Sequence, residues 1–158
     1  VQVLTYFNNA AKPLKCDDGT YRCQENSDWE VDFSVITLEE PADEKYGFLG
    51  VGYECGKQRY AAVDTAGYPG DLPGCPWRMY GDSGALEAFD ACQDDLGDSV
   101  VTSTLDIYPG QSGSAVWDSG NMIRALVNAM GSEGEAYHRT IGKWVAQAIK
   151  DEVAAARS

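Results

Sequence analysis

Along most of the chain apolar and polar residues alternate singly, the period of a half-buried strand, in runs cut short by glycine and proline. The first run is "VQVLTYF" at 1–7. The second, "VDFSVITL" at 31–38, puts Val31, Phe33, Val35 and Thr37 on one face and Asp32, Ser34, Ile36 and Leu38 on the other. A polar connector, "EEPADEKYGFLG", follows. "QRYAAVDTAGYPGD" at 58–71 reads as a strand entering a Gly-Pro turn, and "WRMYGDSGALEAF" at 77–89 as a hairpin with "GDSG" at its tip. "SVVTSTLDIY", "GSAVWD" and "MIRALVNAM" complete the strands, the last two joined by the turn "SGN". From Thr140 the period changes: Ile141, Trp144, Val145, Ala148, Ile149 and Val153 follow the spacing of an amphipathic helix. Many short strands and one terminal helix predict an all-β barrel or sandwich with the helix packed upon it. The only internal repeat is the tripeptide "YPG", at Tyr68–Gly70 and Tyr108–Gly110.

Composition narrows the setting. The 158 residues suffice for a folded core, and the net charge of −13 argues against a nucleic-acid partner, whose phosphates would repel it. No apolar run approaches the roughly 20 residues of a membrane-spanning helix, so no membrane partner is expected. The five cysteines (Cys16, Cys23, Cys55, Cys75 and Cys92) form no C-x-x-C pair and lie far in sequence from the single histidine, which disfavours a metal site. Disulfides in an oxidising, extracellular compartment fit better. Cys16 and Cys23 are spaced to close a short loop; of Cys55, Cys75 and Cys92 one is left over, available for a bond to another chain. No cofactor is called for.

Two serines sit in glycine-bounded turns. "GDSG" at 81–84 and "GQSGS" at 110–114 both suit a nucleophile, because glycine permits the backbone dihedrals of a tight turn. In the second, the N–H groups of Gly110 and Ser112 are placed to serve as an oxyanion hole.

Context separates them. "LDIYPGQSGSAVW" at 105–117, "AGYPGD" at 66–71 and "DFSVITL" at 32–38 together resemble the chymotrypsin-like serine peptidases, most closely their glutamyl endopeptidase-like branch. The resemblance implies a double six-stranded β-barrel with a C-terminal helix, the first barrel incomplete in this chain. Residues 1–45 would be the end of the first barrel, 46–139 the second barrel and 140–158 the helix. It implies Ser112 as nucleophile, Asp32 as the carboxylate that orients the base, and a protein or peptide substrate. Placing the nucleophile at Ser83 would leave "SVVTSTLDIY" as a surplus strand, so "GDSG" is assigned to a hairpin tip. The resemblance further assigns substrate binding to Asp106, Ile107, Val127, Asn128 and Tyr137. Asp106 is either the base of a pocket that pairs with Arg or Lys or a structural carboxylate bonded to loop amides. Glutamyl endopeptidases carry Ser or Thr at the position of Ile107 and a histidine near Val127 or Asn128, and both departures count against acidic specificity.

What is missing is the base. Acyl transfer by serine needs a histidine, which in this family precedes the Asp; none of the 31 residues before Asp32 is histidine. His138 follows both partners, and the resemblance puts it on the last strand of the barrel, facing away from the pocket, as a surface or packing residue. A lone Asp32–His138–Ser112 triad would need His138 beside Ser112. The expectation is therefore a companion polypeptide or missing N-terminal segment that supplies the histidine, in one form through a disulfide. The alternative is a catalytically inactive protease-fold binding or assembly subunit.

Overall fold

A computed structural model describes residues 2–4, 33, 35–38, 47–57, 59–71, 78–87, 92 and 100–156. Asp32 and the cysteines at 16, 23 and 75 lie outside these residues.

The strands are β1 (Gln2–Leu4), β2 (Val35–Thr37), β3 (Gly50–Val51), β4 (Arg59–Gly67), β5 (Tyr80–Glu87), β6 (Val100–Ser103), β7 (Ala115–Asp118), β8 (Met122–Met130) and β9 (Ala136–Thr140), followed by helix α1 (Lys143–Ala156). Six of them close on themselves in the order β4-β5-β6-β9-β8-β7, every pairing antiparallel. Closure leaves no free edge within this ring. The Greek-key connectivity and the terminal helix are those expected of a chymotrypsin-like barrel. β3 adds to β8 in parallel, and β1 pairs with β2 as a separate antiparallel ribbon.

The barrel interior is filled by Tyr60, Val63, Leu86, Leu105, Ile107, Val116, Ala125, Val127 and Ala136. Strict alternation would send Tyr60 and Val63 to opposite faces. A bulge between them in β4 turns both inward, and Thr65 follows Val63 into the interior, where its hydroxyl donates to the Ala115 carbonyl at 2.9 Å. A second cluster lies outside the ring, where Ile141, Val145 and Ala146 meet Phe33, with Val35, Tyr53, Ile123, Leu126 and Ile149 around them. Phe33 meets the Trp144 ring edge-on at 5.5 Å, a geometry aromatic pairs prefer. The face predicted for Phe33 and Val35 is the one that packs, while Ile36 and Leu38 are exposed.

One polar knot ties the connector between β3 and β4 to the barrel. Arg124, on β8, donates from Nε to Asp118 Oδ2 at 2.8 Å, from Nη2 to Glu54 Oε1 at 2.7 Å and from Nη1 to the Gly52 carbonyl at 3.2 Å. Burial pushes the Asp118 carboxyl up, but hydrogen bonds from Arg124 and from the Met122 and Gly120 amides outweigh it and hold the pKa below its ordinary value. The same Asp118 organises the β7–β8 turn, where Asn121 takes the left-handed conformation (φ 58°) that asparagine tolerates. A disulfide joins Cys55 of the connector to Cys92.

The predicted "GDSG" hairpin tip is not one. These residues lie within β5, paired along β4 from Ala66–Gly81 to Val63–Gly84. Their composition has a packing cause. A Cβ on Gly84 would sit 2.7 Å from Thr104 Oγ1 and 3.2 Å from Leu105 Cδ2, so the 104–105 segment fits only against glycine.

Leu86 is wholly buried at the centre of the barrel. Its truncation in Leu86→Ala is expected to cost about 2–5 kcal/mol. Urea unfolding measures this, and a loss below about 1 kcal/mol would show that the interior is not packed around it.

Candidate active site

The loop from Tyr108 to Ser114 is two turns in succession. In the first, Tyr108-Pro109-Gly110-Gln111, the Gln111 N–H donates to the Tyr108 carbonyl at 3.1 Å and Gly110 has φ 97°. Proline at the first corner and a positive φ at the second define a type II turn. In the second, Gln111-Ser112-Gly113-Ser114, the Ser114 N–H donates to the Gln111 carbonyl at 2.9 Å and Gly113 has φ 83°, which repeats the form. Ser112 thus occupies the exposed leading corner of the second turn. Its hydroxyl is directed to the Asn128 carbonyl on β8 at 3.4 Å, a long contact.

Three restraints hold this loop. From below, Gln111 is buried, and its Oε1 accepts the Tyr108 N–H at 2.7 Å. From the side, Gly113 N–H donates to the Val127 carbonyl at 2.7 Å and Val127 N–H to the Ser114 carbonyl at 2.8 Å, which continues the β7–β8 pairing into the loop. From the front, the other "YPG" docks: Gly70 N–H donates to the Pro109 carbonyl at 2.8 Å. A Cβ on Gly110 would lie 2.7 Å from Gly70 N and 3.0 Å from the Tyr68 carbonyl, so this approach is open to glycine alone. The tripeptide repeat is therefore a contact between two turns. The Gly110 and Ser112 N–H groups donate to nothing among the described residues.

The substrate-binding assignments fare differently. Ile107 and Val127 are 5% and 3% exposed, and their side chains belong to the barrel core. Asp106 is exposed. Its carboxylate accepts the Tyr108 hydroxyl at 3.3 Å, and its N–H donates to Asp82 Oδ2 at 2.7 Å. The Asp106 charge, with some burial and the nearby Asp71 and Asp82, raises the Tyr108 phenol above its usual pKa. Asn128 is half-buried beside Ser112. Tyr137 and His138 exchange the faces expected of them. Arg139, with its guanidinium over the Phe33 ring, marks the outer face of β9; alternation places Tyr137 there too, and turns Ala136 and His138 inward.

His138 is wholly buried, paired across the sheet with Val101 and Val127. Its Nε2 lies 2.7 Å from Ser103 Oγ, which also accepts the Leu105 N–H at 3.1 Å, and its Nδ1 meets no partner among the described residues. It is a packing histidine hydrogen-bonded to Ser103. Ser83 Oγ donates to Asp64 Oδ1 at 2.5 Å across the outer face of the barrel. Its environment is that of a strand surface.

No protein-family model matches the chain, and no curated protein matches it. Among solved structures it is similar to Rv3671c from M. tuberculosis H37Rv, an inactive serine-to-alanine mutant, at 20% identity and a TM-score of 0.47. The match covers 65% of this chain and 52% of that one, so the chain spans about half of that structure's length.

Burial lowers the His138 pKa to about 4, against an ordinary value of 6.5. The folded state holds the ring neutral while the unfolded chain protonates it. This contribution to stability is therefore complete above about pH 6.5 and declines as the pH falls toward 4, by roughly 3 kcal/mol in total. The ring resonances of His138 should show no titration in NMR spectra between pH 8 and about 5; a midpoint near 6.5 would mean that the ring is solvated.

Proposed function

We propose that the chain is the nucleophile-bearing part of a secreted, chymotrypsin-like serine endopeptidase, with affinities to the glutamyl endopeptidase-like branch, completed by a histidine from a companion polypeptide or a preceding segment. The observation that carries this reading is the double type II turn, which exposes Ser112 at a corner and leaves the Gly110 and Ser112 amides undonated among the described residues. The barrel needs neither feature for closure.

In the assembled enzyme Ser112 Oγ attacks the substrate carbonyl carbon while the companion's imidazole takes its proton. The oxyanion so formed accepts the Gly110 and Ser112 N–H groups. Collapse breaks the peptide C–N bond, and the imidazolium protonates the departing amine. Water then attacks the Ser112 ester through the same base and releases the acid. Asp32 orients the imidazole.

Five cysteines, of which Cys55 and Cys92 are joined, leave an odd number, so at least one lacks an intrachain partner and is free to tether the companion.

The endopeptidase and inactive-subunit readings separate by labelling. With the companion bound, a fluorophosphonate should form an adduct on Ser112, located by mass spectrometry, that is lost in Ser112→Ala and kept in Ser83→Ala. Absence of the adduct in the assembled protein would leave the binding-subunit reading standing.

A further inference from the structure

The orientation of the oxyanion amide is decided at one peptide bond, that between Pro109 and Gly110. A trans peptide is planar, so its C=O and N–H point in opposite directions. The Pro109 carbonyl is held toward the 68–70 turn by the Gly70 N–H at 2.8 Å, so the Gly110 N–H points away from that turn. The competing conformation is a type I turn over the same four residues. It differs by a flip of this central peptide and takes φ near −90° at the third residue instead of the 97° observed. The flip would break the Gly70 bond and withdraw the Gly110 N–H from any oxyanion beside Ser112. The turn's own closing bond, Gln111 N–H to Tyr108 carbonyl, is common to both forms and cannot choose between them. Nor can the bond from Tyr108 N–H to Gln111 Oε1, which involves neither atom of the flipping peptide.

From this we propose that Gly70 is a positioning residue for the oxyanion hole, acting through its backbone N–H, and that the docked "YPG" turns are the device that selects the competent form of the nucleophile loop. The role rests on Ser112 being the nucleophile. Gly70 touches no reacting atom.

The test separates the N–H from the rest of the residue. Gly70→Ala keeps the donor, and its Cβ would lie 3.9 Å from the Pro109 carbonyl, an ordinary contact. Gly70→Pro removes the donor. Should that variant not fold, glycolic acid at position 70, introduced by ligation at Cys75, makes the same deletion as an ester. Two readouts apply to the isolated chain. One is the scalar coupling across the hydrogen bond from Gly70 nitrogen to the Pro109 carbonyl carbon, measured by NMR. The other is the rate of Ser112 phosphonylation by a fluorophosphonate, with imidazole added as the base.

Expected are a coupling in the wild type and Gly70→Ala, phosphonylation of Gly70→Ala within about twofold of wild type, and a fall of about 10²-fold when the donor is deleted, the scale of one lost oxyanion donor. No coupling in the wild type, or an undiminished rate without the donor, overturns the role of Gly70 and leaves Ser112 as nucleophile. A coupling present with Ser112 inert in every protein overturns the nucleophile assignment, and the positioning role falls with it.

Discussion

Strand β8 is where the barrel closes and where the loop is fixed. It pairs with β7 on one side and β9 on the other, and the β9 pairing turns an open sheet into a ring. At Val127 it gives one N–H and one carbonyl to the 113–114 segment, so the Ser112 loop is an extension of the barrel's own hydrogen bonding. Arg124 gathers the connector through Glu54 and Gly52, and Leu126 meets the cluster beneath the helix. Without β8 the ring opens, the connector detaches and Ser112 loses its frame. A loop set this way is positioned by a scaffold instead of by its own stiffness, which suits chemistry sensitive to small displacements.

Much of this was legible in the residues. The alternation around Phe33 and Val35, the helical spacing from Ile141 to Ile149 and the glycines around Ser112 each have one local solution that the fold then uses. "YPGQSG" in particular spells its turns, since proline sets one corner and glycine the next. The failures have a common cause, which is that the deciding neighbour is distant in sequence. "GDSG" has the letters of a turn, but its glycine answers to Thr104 and Leu105, so the segment is a strand. The faces of Tyr137 and His138 depend on the β9 register, which no local pattern states. The "YPG" repeat was visible as letters and unreadable as a contact, because a hydrogen bond between residues 70 and 109 leaves no periodic trace.

The two serine motifs make the same point from opposite sides. A string of small residues is required wherever backbone comes close to something else, whether the neighbour is a substrate, a second turn or a crossing strand. Ser83 satisfies its hydroxyl on Asp64, within the sheet. Among the described residues, Ser112 has only a long contact to a carbonyl, and its own amide and that of Gly110 meet no acceptor. Unspent hydrogen-bonding capacity, not spelling, distinguishes a site from a seam.

The buried histidine has a bearing on enzymology that its packing role conceals. With its ring held neutral down to about pH 4, His138 contributes nothing to any rate that changes near neutrality. The chain has no other imidazole. An imidazole ionisation in the usual histidine range would therefore report a group outside these 158 residues, and its pH–rate profile would distinguish that group from His138.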